Sequence, residues 1–227
     1  MGKKEGILRQ FQEYKTQMIT YKDENYPIKL KNIKDFPYCL FYKGNLDLIN
    51  RKTIAIIGSR KCSEYGKNIT KKLAQELAKR DIIVVTGGAR GIDSYANIGA
   101  LIAKRPSIIV LGNSLDYIYP PENKRLEELI LNNGGLIVSE YLNQTRGSKM
   151  TFPERNRIIS AISDGILIVE AKRKSGALIT ADLALEQGKE VYAVPGNILQ
   201  LNSEGTNELI KQGAKVVTDV NDILEDY

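Results

Sequence analysis

Three short loops in this chain carry the residue types that hold phosphate. Gly58-Ser59-Arg60 follows one β-branched run, Thr86-Gly87-Gly88-Ala89-Arg90-Gly91-Ile92-Asp93 follows a second, and Glu170-Ala171-Lys172-Arg173-Lys174-Ser175-Gly176 follows a third. The glycines at 58, 87, 88, 91 and 176 let backbone amides approach an anion, and a helix starting beyond the loop adds its partial positive charge. The hydroxyls of Ser59 and Ser175 can donate to a phosphate oxygen, and Arg60 can clamp one with two N–H groups. None of the loops is a Gly-x-Gly-x-x-Gly fingerprint or a Walker A sequence, and Gly87, Gly88 and Gly91 fail the dinucleotide spacing. No acidic residue follows Gly58 where one would hold a ribose, which argues against a nicotinamide dehydrogenase. Asp93 reads as a cap or brace for the following helix rather than as a base. Tight packing accounts for any one of these loops equally well. Several of them together point to a phosphate-bearing ligand.

A fourth stretch has different chemistry. Gly147-Ser148-Lys149-Met150-Thr151-Phe152-Pro153-Glu154-Arg155-Asn156-Arg157 lies in a segment, 142–160, with four basic side chains and one acidic one. Pro153 suits the first turn of a helix, so Lys149 and Phe152 are expected on the loop just before it. Lys149 can neutralise a phosphate while Phe152 offers a face on which a base stacks, the pairing that single-stranded nucleic acid requires. The alternative is that Phe152 staples the helix to the core and the charges are solvated. Arg155 and Arg157 stand two apart on different helix faces, so at most one shares the Lys149 surface. Asn156 between them can bond a phosphate or hold the loop. Lys172, Arg173 and Lys174 read as a solvated turn that can extend a phosphate track.

The elements that position these residues are legible as an alternation. From Thr53 onward, the apolar runs Ile54–Ile57, Ile82–Val85, Ile108–Leu111, Leu136–Val138, Ile166–Val169, Val191–Val194 and Lys215–Val217 read as strands buried on both faces. Between them lie stretches with helical spacing, the first marked by Ile69, Leu73, Leu77 and Ala78 on one face, the others at 94–104, 122–132, 154–163, 177–187 and 204–212. The expectation is an α/β fold with a doubly wound, mostly parallel sheet, in which the strand-end loops converge on one ligand edge. Residues 1–50 lack the rhythm. They are expected to form a helix at 7–18 and an extended arm at 20–50 packing on the core, with Tyr38–Tyr42 adding a strand; residues 51–227 form the main domain.

Composition narrows the chemistry further. The chain has 227 residues, 42% hydrophobic and 26% charged, which suits one main core. It has no histidine, so no imidazole base, no His-based triad and no His-ligated metal. Cys39 and Cys62 are too few for a thiolate zinc site or a disulfide framework, which suits a reduced, cytoplasmic protein. No cofactor and no metal are expected. No apolar run approaches the ~20 residues of a membrane span. The net charge of +6 is unevenly spread: residues 1–52 hold 11 of the 33 basic side chains and 6 of the 27 acidic ones, leaving the rest near neutral. Any anion site is therefore local.

Taken in order, the motifs are recognisable. Ile56-Ile57-Gly58-Ser59-Arg60, Tyr65-Gly66, the Thr86–Asp93 loop, Tyr119-Pro120-Pro121-Glu122-Asn123, Ser139-Glu140-Tyr141, Phe152–Ile159, Glu170, Ser175–Thr180, Val194–Asn197, Gly205–Ile210 and Gly213-Ala214 run collinearly over about residues 20–225. This resembles the DprA (Smf) family of DNA-processing proteins. The resemblance implies an extended Rossmann-like domain that binds single-stranded DNA, protects it during natural transformation, loads the recombinase RecA onto it and dimerises, without being an enzyme. It places the phosphate-gripping arginine on Arg60, the DNA-contacting lysine on Lys149, the stacking ring on Phe152 and the adjoining Arg-Asn-Arg signature on Arg155, Asn156 and Arg157. The chain departs from the family pattern at Gly88, usually leucine, and at Asn97, usually histidine. Ending at Tyr227, it is expected to lack the winged helix that many members carry.

Two other readings fit the same scaffold. A nucleotide phosphoribohydrolase of the lysine-decarboxylase-like type would need Pro-Gly-Gly-x-Gly-Thr-x-x-Glu, which Pro195-Gly196-Asn197 does not complete. A sensor of a nucleotide-derived signal would bind mononucleotides and not long strands.

Overall fold

A computed structural model describes residues 15–142 and 144–227. Its nine strands are β1 (Gln17–Thr20), β2 (Cys39–Gly44), β3 (Thr53–Ile57), β4 (Ile83–Thr86), β5 (Ser107–Leu111), β6 (Leu136–Ser139), β7 (Gly165–Ile168), β8 (Glu190–Ala193) and β9 (Lys215–Val216). They form one sheet in the order β1-β2-β6-β5-β4-β3-β7-β8-β9. From β6 to β9 every pairing is parallel. The seven strands expected from the Ile- and Val-rich runs are present; the six from β3 to β8 bury side chains on both faces, whereas the edge strand β9 leaves Val216 exposed. In β3, Ile54 and Ile56 face one layer while Ala55 and Ile57 face the other.

The helices are α1 (Ile28–Lys31), α2 (Glu64–Lys79), α3 (Ile92–Ile102), α4 (Lys124–Asn132), α5 (Thr151–Ile162), α6 (Gly176–Glu186), α7 (Glu204–Lys211) and α8 (Asn221–Leu224). On one face of the sheet α5 contributes Ile158, Ile159 and Ile162, and α6 contributes Ala177, Ala181 and Ala184. The opposite face is covered by α2 through Leu73 and Leu77, by α3 through Ile92, Ala96 and Ala100, and by α4 through Ile130 and Leu131. This is the doubly wound, mostly parallel α/β fold with Rossmann-like layering. Strand order reverses between β3 and β7, so the loops after these two strands diverge to opposite faces and leave a crevice.

Two sequence expectations are corrected, one in the N-terminal region and one at the start of α5. Residues 7–14 of the expected helix lie outside the described residues, and its expected end at Gln17 and Met18 belongs instead to the strand Gln17–Thr20. The reason is tertiary: Gln17–Thr20 pairs antiparallel with β2, in register Ile19 to Leu40, and buries Ile19 in the core. β2 in turn pairs antiparallel with β6, so the arm extends the sheet. The arm is fastened beneath the sheet by Lys29, whose Nζ lies 2.8 Å from Asp164 Oδ1 and donates to the Arg51 carbonyl at 2.9 Å. The second correction concerns α5, which begins two residues before Pro153 and so takes Phe152 into its first turn instead of the preceding loop. Ser148 explains the earlier start: its Oγ accepts from the Met150 and Thr151 amides, and its carbonyl accepts from Phe152 N–H.

Candidate nucleic-acid interface

The crevice at the strand reversal is a cavity of 710 Å³. Among the described residues, five sequence segments line it, one of them the β5–α4 segment through Tyr119. The β3–α2 loop supplies Gly58, Ser59 and Arg60; the loop after β4 supplies Gly87; the α5 start supplies Lys149, Phe152, Arg155 and Asn156; the β7–α6 turn supplies Lys172, Lys174, Ser175 and Gly176. Gly88 opens instead onto an adjoining smaller cavity of 170 Å³, which shares Arg60, Gly87, Phe152 and Arg155 with the first. Gly91 lines neither. With φ at 77° it brings the β4–α3 loop against the β3–α2 loop, where a Cβ would stand 2.2 Å from the Ser59 carbonyl oxygen, and Ile92 N–H donates to that same oxygen at 3.2 Å.

Phe152 is half-buried, its ring set between the backbones of Gly112 and Gly147. The Tyr119 ring lies beside it, centroids 5.7 Å apart, and the Arg60 guanidinium carbon sits 5.4 Å from the Phe152 centroid. Arg60, Lys149, Lys172 and Lys174 are exposed and, among the described residues, form no ion pair. Ser59 is tied locally: its N–H donates to the Glu170 carbonyl at 2.7 Å, and its Oγ accepts from Lys61 N–H at 3.2 Å.

Beneath this rim the charges are bound to the protein itself. Arg155 is 5% exposed and donates through Nη1 to the Gly87 carbonyl at 2.6 Å and to the Val110 carbonyl. Gly87 has no room for a side chain here, because a Cβ would lie 2.7 Å from the guanidinium. Burial lowers the Arg155 pKa to about 10, with the Asp93 charge opposing the shift, so the side chain stays charged at neutral pH. Asp93 accepts from Gly87 N–H at 2.9 Å and Ala89 N–H at 3.3 Å, and thus braces the loop. Burial raises its pKa, against the charge of Arg155 and those two amides. Asn156 accepts from Arg155 Nε and donates to the Gly176 carbonyl, both at the long end of hydrogen-bond range. Arg157 points away from the cavity and pairs with Glu140 at 2.8 Å.

Glu170 is also structural. Its carboxylate accepts from Ser63 N–H at 2.9 Å and from the Ser63 hydroxyl at the start of α2, where Gly66 makes room for it. Asn97 is fully buried and donates to Thr86 Oγ1 at 2.9 Å and to the Asp93 carbonyl at 3.0 Å, linking α3 to the loop that Asp93 braces. Sequence reasoning assigned no role to Tyr119, whose ring widens the aromatic surface at Phe152; its Tyr-Pro-Pro setting was the available signal. Among the described residues, no helix is long and apolar enough to cross a membrane and no cluster of His, Cys, Asp or Glu could hold a metal ion.

The family model for DNA recombination-mediator protein A matches residues 17–227. The chain is 42% identical over 221 residues to DNA processing protein DprA of Streptococcus pneumoniae, covering 97% of this chain and 77% of that protein. It is 44% identical to Protein Smf of Escherichia coli over 92% of this chain, and spans 56% of that protein's length. The crystal structure of the pneumococcal protein superposes with a TM-score of 0.87 at 40% identity, over 99% of this chain and 78% of that one. A Helicobacter pylori DNA processing protein A, studied for its single-stranded DNA binding mode, superposes with a TM-score of 0.85 at 35% identity, over 95% of this chain and 98% of that one. With that match over nearly all the described residues, the chain belongs to the DprA (Smf) family of DNA-processing proteins.

Proposed function

We propose that the chain binds single-stranded DNA in the cavity at the strand reversal, without sequence preference, and that Arg60 and Lys149 take backbone phosphates while Phe152 stacks on a base. The observation that carries this reading is that these three side chains line one cavity, whose lining among the described residues includes a single acidic residue, Asp93, already bonded to two amides. The start of α6 at Ser175 and Gly176, with the Ser59 hydroxyl, supplies further donors for phosphate oxygens. Arg60 covers the ring face that a base would take. As a strand enters, the guanidinium exchanges the ring for a phosphate, a stronger charge-assisted contact. Arg155 and Asn156 hold the cavity's shape from beneath. Arg157, held by Glu140, acts outside it.

The Helicobacter relative, to which the chain is similar over almost its whole length, supports the ligand class. Family membership supports the wider role: protecting single strands and loading RecA in transformation or recombination, as a homodimer in the reducing cytoplasm with Cys39 and Cys62 as free thiols. Hydrolysis of nucleotides gains no support, since Asp93 is braced by the loop it would have to act from.

The test is a fluorescence-anisotropy titration with oligo-dT. Lys149→Glu is expected to abolish binding, and Phe152→Leu, which keeps an apolar filler between Gly112 and Gly147, to cost ~1–3 kcal/mol of affinity. Wild-type affinity in both folded variants would remove the proposal.

A further inference from the structure

A second cleft of 530 Å³ lies between α6 and α7 and shares Lys174, Ser175 and Gly176 with the first cavity. The turn between β7 and α6 is the ridge that separates them. Lys172 lines the first cavity alone, Arg173 lines the second alone, and Lys174 lines both. All three are exposed, and among the described residues none makes a hydrogen bond or an ion pair. Three consecutive exposed cations set astride a ridge, unpaired within the protein at little cost, keep their full capacity for a polyanion that crosses it. Behind the ridge the second cleft is lined by the apolar Leu178, Ile179 and Leu209 and by two carboxylates, Asp182 six residues into α6 and Glu208 in the second turn of α7.

We infer that bound single-stranded DNA continues out of the first cavity over the β7–α6 turn, with Arg173 taking a backbone phosphate on the side of the second cleft. This rests on the reading of the first cavity as a single-strand site. The charge distribution sets the path. The described cations of this cleft, Arg173 and Lys174, belong to the turn, and its carboxylates, Asp182 and Glu208, to the helices beyond it, so the backbone stays on the ridge and phosphates are kept from the stretch between the helices. The apolar lining of the cleft accepts the face of one base. Ser175 supports the crossing point: it precedes α6, its Oγ is buried without a hydrogen-bond partner, and no acidic residue stands in the helix's first turn.

The experiment compares oligo-dT of about five nucleotides, enough for the first cavity, with oligo-dT of about twenty. Wild type, Arg173→Glu and Lys124→Glu are titrated at several salt concentrations; Lys124, exposed on α4, controls for the same change in net charge. Arg173→Glu is expected to bind the short strand as wild type does and to lose affinity several-fold for the long one. Its slope of log affinity against log salt on the long strand should be shallower by about 0.7 for each phosphate no longer neutralised. Lys124→Glu should leave both lengths unchanged. Arg173→Glu behaving as Lys124→Glu on the long strand overturns the inference. So does a changed sedimentation coefficient of the DNA-free Arg173→Glu protein, which would make the second cleft a contact between copies of this chain. Wild type that binds neither length overturns the reading of the first cavity itself, a result distinct from either of these.

Discussion

The floor and the rim of the cavity are built from the same residue types under opposite physical conditions. On the floor, Arg155 and Asp93 are almost fully buried, and each is bonded to the Gly87 peptide, one to its carbonyl and the other to its N–H. On the rim, Arg60 and Lys149 are exposed and form no ion pair among the described residues. A buried charge is tolerated only when hydrogen bonds replace its lost water, so the floor charges are held chiefly by the protein's own Gly87 and Val110 peptides. An exposed charge is unpaired at little cost and keeps its full capacity for a phosphate. Two arginines far apart along the chain thus carry separate tasks: one shapes the site, the other meets what enters it.

The largest expected effect breaks the floor. Arg155→Met removes the donors to the Gly87 and Val110 carbonyls and leaves Asp93 buried without its nearby cation. The expected loss is ~3–5 kcal/mol of folding stability, read by urea denaturation. Arg155→Lys keeps the charge but not the two-carbonyl geometry and should fall between Met and wild type. An Arg155→Met protein as stable as wild type would place Arg155 with the rim instead.

The same contrast marks what the sequence could reveal. Strands such as Ile54–Ile57 were legible because burial on both faces leaves an unbroken apolar run. The position of Lys149 and Phe152 near a helix start was legible from Pro153, though the turn that Ser148 closes with the Met150 and Thr151 amides begins the helix earlier and puts Phe152 inside the first turn. The burial of Arg155 was not legible: it sits in a polar stretch between Glu154 and Asn156, and nothing nearby in sequence names Gly87 or Val110 as its acceptors. β1 was hidden for a similar reason, since four residues take up a strand only because β2 offers an edge. Local pattern reports which faces are buried; it is silent on polar partners that come from distant segments.

A half-buried carboxyl without such partners sharpens the comparison. The Glu127 carboxylate on α4 makes no hydrogen bond or ion pair among the described residues, and its partial burial pushes it up to about 7, with Lys43 opposing and Glu128 adding to the shift. The folded protein therefore binds this proton more tightly than the unfolded chain, whose carboxyl titrates near 4.5. Its stabilising contribution is complete below that value and is lost as the pH rises through about 7. Glu127→Gln should leave stability unchanged at acidic pH and raise it above neutrality, by on the order of 1–3 kcal/mol. Parallel pH–stability curves for the two proteins would show that this carboxylate is not held at a cost, unlike what its lack of partners implies.

The smallest expected effect on folding comes from the rim, and it is the one that separates the two regions most cleanly. Arg60→Ala deletes an exposed guanidinium that rests against the Phe152 ring. A cation over a ring at an exposed site contributes ~0.5–1 kcal/mol, and relief from the neighbouring rim cations offsets part of that. Folding stability should therefore change by no more than about 0.5 kcal/mol. Affinity for oligo-dT should nonetheless fall, and its salt dependence should become shallower by about 0.7 in slope, the signature of one phosphate fewer held by the protein. The opposite pattern, a destabilised protein whose salt slope is unchanged, would mean that Arg60 holds the Phe152 ring in place as Arg155 holds Gly87, and that the division between floor and rim runs elsewhere.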